Sequence, residues 1–246
     1  MKRSVSLHQP HVKAKIIGVI LIAIGIAFLL YDPGELHLKI GFASILIGIF
    51  MVFMITERSV PKTISDAQIE GNLDAVKSIT KELNLAGNAV FVPKSHILSQ
   101  ERLFIPLTTT DIKLPEIDDD LVFSTGGDGK SLGIAIPPSG LKLLQEIQGE
   151  TDFENTGLEG VEEKLQTFVG MNLLKSVSFK KGEDGWKLEL EKPLFCVNDE
   201  TLCKQYPCPT CSAVLSAITQ ASKQKIWIHD AINNGKKTTF HLKLGD

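Results

Sequence analysis

Charge vanishes twice near the start of the chain: residues 16–31 and 40–55 are each 16 consecutive uncharged positions rich in Ile, Leu, Val, Phe and Met. A membrane-crossing helix needs roughly 17 to 25 mostly apolar residues. Each run reaches that length once its flanks contribute, Lys15 and Lys39 by snorkelling and Val12, Leu36 and Leu38 by burial. The pattern therefore predicts two spanning helices, at about 14–31 and 37–55, with residues 1–56 forming an anchor. Between them, Asp32-Pro33-Gly34-Glu35 has the chemistry of a tight turn, which makes the pair an antiparallel hairpin. Neither run keeps the polar face of a soluble amphipathic helix, and no small-residue cleavage site precedes Asp32 to mark a signal peptide. Gly18 and Gly25 on the first helix, and Gly41, Ser44 and Gly48 on the second, allow close packing.

Basic residues fix the expected orientation. Lys2, Arg3, Lys13 and Lys15 precede the first helix and Arg58 and Lys62 follow the second, whereas the connection holds only Lys39. The positive-inside rule then puts both termini in the cytoplasm of a two-span cell-membrane protein.

Beyond a juxtamembrane linker at 57–64 containing Pro61, the pattern shortens and alternates. Ile69, Leu73, Val76, Ile79 and Leu83 predict a helix from Ser65, with Ser65 or Asp66 as its cap, to about Leu85. Short extended runs follow at 89–92, 102–107, 121–124 and 132–136. Helical spacing returns at 139–148 and 158–174. Trp186, Leu188 and Leu190 alternate with charged residues after a Gly-Glu-Asp-Gly loop, and a last hairpin turns at Asn233-Asn234-Gly235. Mixed helices and hairpin-linked strands make 65–246 an α+β domain with largely antiparallel hairpins.

Composition narrows the partners. Five of the 26 basic and two of the 29 acidic residues lie in the first 56, leaving the remainder with a net charge near −6. An acidic domain offers no electrostatic footprint for nucleic acid. The expected partners are the lipid bilayer and a protein partner or further copies of the chain.

All four cysteines fall within 16 residues, as Cys196, Cys203, Cys208 and Cys211. Cysteines used only as small hydrophobes would be scattered. Pro209 suits the first turn of a helix continued by Ala213, Leu215, Ala217, Ile218 and Ala221, so Cys208 and Cys211 are expected at its N-terminus, where thiolates are stabilised. Cys196 follows a strand-like Pro193-Leu194-Phe195, and Cys203 is expected on the intervening loop. Four converging thiolates in a reducing compartment point to zinc, with an iron–sulfur cluster next. The pair Cys208 and Cys211 also has the C-x2-C spacing of a redox dithiol, and disulfides remain open.

Other signals dissolve under local chemistry. Residues 124–131 resemble a phosphate-binding loop, but Ser124 stands where its first glycine is required. The extended run and Pro137-Pro138 that follow cannot open the helix such a loop needs, and a glycine-rich hairpin turn accounts for the same residues. Glu116, Asp118, Asp119 and Asp120 read as a solvated loop face, and His229 and His241 as strand residues. No Ser-His-Asp arrangement, HExxH run or dinucleotide fingerprint occurs.

The order of a two-helix anchor, a helix with Glu70-Gly71-Asn72-Leu73-Asp74-Ala75, a strand ending Phe91-Val92-Pro93, a Pro137-Pro138-Ser139-Gly140 turn and a Cys-Pro-x-Cys-Ser segment resembles uncharacterised archaeal membrane-anchored proteins. That resemblance implies a membrane setting and no activity. Together these features predict a non-enzymatic, membrane-tethered cytoplasmic domain that holds a structural metal on Cys196, Cys203, Cys208 and Cys211 and binds a partner or small ligand. The alternative is a tethered thiol-disulfide oxidoreductase using Cys208 and Cys211. An ATPase using Lys130 is a third reading.

Overall fold

The computed structural model describes residues 10–31, 34–54, 62–109, 114–115, 117–119, 123–124, 132–149, 151–182, 185–196 and 198–245. The chain divides into two compact units, Met1–Lys62 and Thr63–Asp246.

The first unit is a helical hairpin of α1 (Pro10–Tyr31) and α2 (Glu35–Met54). A methyl group added at Gly25 would lie 2.7 Å from the Gly41 carbonyl oxygen, and one at Gly48 would lie 2.7 Å from that of Gly18. The expected small-residue packing is therefore present, with the two backbones in contact at two levels and the helices antiparallel. Ile22, Leu29, Ile45 and Val52 pack beside these glycines, while Ile20, Phe42, Leu46, Phe50 and Phe53 are among many exposed apolar side chains. Glu35–Phe53 is long and apolar enough to cross a membrane. On α1 the apolar stretch among the described side chains is the shorter Ile16–Tyr31. Asp32 and Pro33 of the expected turn, and most of the linker at 57–64, lie outside the described residues.

The second unit opens with α3 (Lys62–Glu82). This helix starts earlier than expected, so Ser65 and Asp66 lie inside it instead of capping it. It is followed by β1 (Val90–Val92), β2 (Arg102–Pro106), β3 (Phe123–Ser124), β4 (Gly133–Ile136), α4 (Leu141–Gln148) and α5 (Gly157–Gly170). Next come β5 (Ser176–Gly182), β6 (Gly185–Glu191), α6 (Glu200–Gln205), α7 (Pro209–Ser222), β7 (Lys225–Asn233) and β8 (Lys237–Gly245). The expected helix over 158–174 stops short because Asn172, at φ 57°, turns the chain left-handed.

All strands join one sheet in the order β3-β4-β2-β1-β7-β8-β6-β5, and every pairing is antiparallel. The α+β expectation holds. Alternation along the strands sorts side chains by face. Phe91, Leu103 and Ile105 join Leu144, Phe153, Leu165, Phe168, Leu215 and Ile218 of the helical layer in the main core. Val90, Val92 and Phe104 point the other way, into a smaller cluster with Leu98, Ile117 and Ala135. Helix α7 is the centre of the domain. It packs against α4, α5, β1 and β7, and eleven of its residues are buried.

Candidate metal centre

Cys208 is the N-cap of α7 and Cys211 sits in its first turn, as the proline-led helix start requires. The Ser212 N–H donates to the Cys208 carbonyl at 2.8 Å, closing that turn. Cys196 arrives from a bend: Lys192 and Phe195 have φ of 49° and 61°, the left-handed region that side chains rarely occupy. Thr210 Oγ1 pins this bend to α7 by donating to the Leu194 carbonyl at 2.6 Å.

Cys203 corrects the loop expectation, because it lies within α6. Asp199 caps that short helix, accepting from the Leu202 N–H at 3.0 Å, and is itself held by Lys77 of α3 at 2.5 Å. Gln205 Nε2 donates to the Leu85 carbonyl at 2.7 Å, tying the helix to the segment after α3.

The sulfurs of Cys196, Cys208 and Cys211 all lie within 4.8 Å of one another and could hold a metal ion. Zinc–sulfur bonds of about 2.3 Å in a tetrahedron set sulfurs about 3.8 Å apart, so a small contraction closes the three onto one ion. No disulfide joins any of the four cysteines. Cys203 is not within that mutual distance of the other three, yet its thiol is the strongest influence on Cys196 and the two share a donor. Asn233 Nδ2, at the end of β7, donates to Cys196 Sγ at 3.4 Å and to Cys203 Sγ at 3.6 Å. Thr238 Oγ1, paired with Asn233 across the hairpin, lies 3.7 Å from Cys196 Sγ.

The electrostatics are those of thiols competing for one negative charge. Hydrogen bonds from Cys203, Cys208 and Cys211 hold the Cys196 thiol far below its ordinary value, against the opposing effect of burial. Cys203 and Cys208 are pushed well up, first by donating hydrogen bonds to Cys196 and then by burial; Cys211 rises through Cys196, Cys208 and burial. The Cys211 side chain and, less, its backbone N–H ease Cys208 in the other direction. A divalent cation replaces those shared protons and makes several thiolates stable together. Soft sulfur donors favour zinc or iron–sulfur chemistry over hard cations.

The Pro137-Pro138-Ser139-Gly140 turn belongs to the same construction. Ser139 Oγ donates to the Pro207 carbonyl at 2.7 Å, and a Cβ at Gly140 would stand 2.1 Å from the Ala213 nitrogen. Two sequence motifs 70 residues apart are thus a turn and the helix start it supports. Asn233, Thr238 and Thr210 gave no sequence signal as site residues; Asn233 read only as turn chemistry.

The remaining candidates stay apart. His229 and His241 are exposed and join no metal-binding group among the described residues. Asp119 accepts twice from the Ser99 N–H, at 3.1 and 2.9 Å, and the Ser99 side chain first and this N–H second hold its carboxyl below the usual range, which makes it a loop tie. Glu116, Asp120 and the glycine-rich loop with Lys130 lie outside the described residues.

No match to the chain was found among curated proteins or among solved structures. A family profile described as a domain of unknown function, DUF7982, matches residues 3–169 and ends before the first cysteine. Because that match takes in the helical hairpin, β1 to β4 and nearly all of α5, and more than half of the chain, the protein belongs to the DUF7982 family.

Proposed function

We propose that the protein is a non-enzymatic, membrane-tethered domain in which one zinc ion on Cys196, Cys203, Cys208 and Cys211 clamps α6, the 192–196 bend and the start of α7, and which binds a small ligand or partner. The observation that carries this reading is the convergence of three sulfurs within 4.8 Å, with Cys203 beside Cys196 and N–H and O–H donors around them. Such donors favour thiolate and orient metal ligands. Four sulfurs would leave no open coordination position, which suits a structural ion. The metal would supply a cross-link between segments that the chain otherwise joins through hydrogen bonds and core packing.

The burial of Cys208 and Cys211, 3% and 0% exposed, weighs against their service as an attacking and resolving pair, which needs access and a low thiol pKa. Both helices of the hairpin are read as spans because their outward faces carry no charge over residues 16–31 and 40–54. Basic flanks put both termini in the cytoplasm, where thiols stay reduced.

The test is elemental analysis of the whole chain purified in detergent under reducing, chelator-free conditions, alongside a free-thiol count. About one zinc per chain with few reactive thiols, lost together in Cys208→Ser, is the expected result. A folded, metal-free chain with four readily alkylated thiols would overturn it.

A further inference from the structure

The four sulfurs of the cysteine cluster differ in access and in footing. Cys203, Cys208 and Cys211 are buried, at 3%, 3% and 0% exposed, and Cys196 alone keeps part of its surface in water. Cys203 stands in α6, Cys208 caps α7 and Cys211 lies in its first turn, whereas Cys196 belongs to no helix or strand and hangs on the bend between β6 and α6. Lys192 and Phe195 of that bend have left-handed φ, which side-chain-bearing residues keep only while their surroundings enforce it and which gathers in switch segments. Three hydrogen bonds enforce it. The Lys192 N–H donates to the Lys236 carbonyl at 2.6 Å, the Leu194 N–H to the Leu173 carbonyl at 2.8 Å, and the Thr210 hydroxyl to the Leu194 carbonyl. All three act at Lys192 or Leu194, short of the sulfur itself.

Access and an adjacent partner thiol are what an oxidant-sensing cysteine needs. Cys196 Sγ lies within 4.8 Å of the sulfurs of both Cys208 and Cys211. A disulfide sets its sulfurs about 2.05 Å apart, so travel of under about 3 Å closes one. Of the two neighbours, Cys208 is better placed to meet Cys196: it is the N-cap, with a non-helical backbone at φ −57° and ψ 160°, while Cys211 is sealed inside the helix. Burial does not hinder Cys208 in this role, because its reaction partner is already beside it and no oxidant has to reach it.

We propose that Cys196 is the peroxide-reactive sulfur of a reversible zinc switch, with Cys208 as the thiol that resolves it. The inference rests on the four-cysteine zinc reading and adds the regulation of that site. A metal-bound thiol is already a thiolate. The Cys196 thiolate attacks one oxygen of hydrogen peroxide, the O–O bond breaks, a sulfenic acid forms and hydroxide leaves. The Cys208 thiolate then attacks the sulfenic sulfur, the S–S bond forms and a second hydroxide leaves. The two sulfurs have lost two electrons and the peroxide has gained them, while zinc departs unchanged as the divalent ion. It departs because two of the three sulfurs that lie close together are consumed, and Cys203 lies outside their mutual distance. The new disulfide keeps the bend on α7, so α6 is the element released from the centre, left on its ties to Lys77 and to the Leu85 carbonyl. A cellular thiol reverses the step by exchange, and zinc returns.

The experiment treats the whole chain in detergent, its zinc content measured first, with hydrogen peroxide. A chromogenic chelator reads released zinc, and mass spectrometry of peptides maps every cysteine. Release of about one zinc per peroxide consumed is expected, with a Cys196–Cys208 disulfide as the first product, Cys203 and Cys211 still open to alkylation afterwards, and zinc reloading after dithiothreitol. Among the zinc-carrying molecules of Cys196→His, whose imidazole can ligate zinc but has no sulfur to oxidise, release should be at least about tenfold slower. If that variant holds no zinc, the wild-type disulfide map decides alone. A chain that carries zinc and keeps it, with its thiols, in a large excess of peroxide overturns the inference and leaves the metal scaffold standing. A first product that spares Cys196, such as a Cys208–Cys211 disulfide, overturns it as well. A folded chain that never carried zinc overturns the metal reading, and the switch with it.

Discussion

Asn233 illustrates how little of a site can be visible in a residue's type. Within Asn233-Asn234-Gly235 it reads as a turn former, and it does serve the turn, accepting from the Gly235 N–H at 2.9 Å. Its amide nitrogen, however, donates to two sulfurs. Removing donors of this kind around a metal ligand usually costs 10- to 100-fold in affinity. Asn233→Ala should therefore lose zinc to a competing chelator about 10- to 100-fold more readily than the wild type while Cys208 and Cys211 remain in place. Asn233→Asp should be worse, because a carboxylate charge beside thiolates replaces a donor with repulsion. The cysteines themselves were legible because a cluster of four in 16 residues resists a packing explanation. Their hydrogen-bond donors were not, because those come from β7 and β8, 22 or more residues further on, through a register that only the folded hairpin defines.

At the scale of elements, segments with an apolar pattern were readable, the short strands β1, β2 and β4 included, and a helix of barely two turns was not. Helix α7 was expected from Pro209 and its apolar spacing, and it forms there. Helix α6, of six residues, carries too few positions for a period, and its one signal is the cap Asp199. The start of α7 depends on another element as much as on its own proline. Because a Cβ at Gly140 would meet backbone atoms, the Ala213 nitrogen at 2.1 Å and the Pro209 oxygen at 2.3 Å, no side-chain rotation can relieve it. Gly140→Ala should destabilise the domain by about 3 kcal/mol or more, at the upper end of overpacking costs. A thermal melt should show it, and the displaced helix start should lower zinc content in parallel. An unchanged melting temperature would mean that α4 and α7 are not in the contact described.

For the whole molecule, the buried Glu101 ties stability to pH. An ordinary glutamate, as in the unfolded chain, loses its proton near pH 4.5, whereas the folded carboxyl keeps it to about 8. Between those values the folded state binds the extra proton, so stability falls as pH rises, by up to roughly 1.4 kcal/mol per pH unit for a single group, and levels off above about 8. Denaturant unfolding of Glu101→Gln should lack this slope between pH 5 and 8; equal slopes in the two proteins would show that the carboxyl is not held neutral. Two compact units were legible from the two uncharged runs, and an antiparallel α+β domain from the alternation that follows. The strand order was not, because nothing local in Val90–Val92 says that it pairs with the distant β7 as well as with the next strand, β2. That order governs how the protein is made. Strand β1 lies in mid-sheet, with Phe91 opposite Leu103 on one side and Ile226 on the other. One edge of β1 therefore waits through the synthesis of well over 100 further residues, and an open strand edge is a template for wrong pairing. Closing so distant a contact is slow. The nascent chain thus emerges with its hairpin complete and its sheet half built, and the cysteine segment and the β7–β8 hairpin, which follow the other strands in the chain, close both the cysteine cluster and the sheet in one late step.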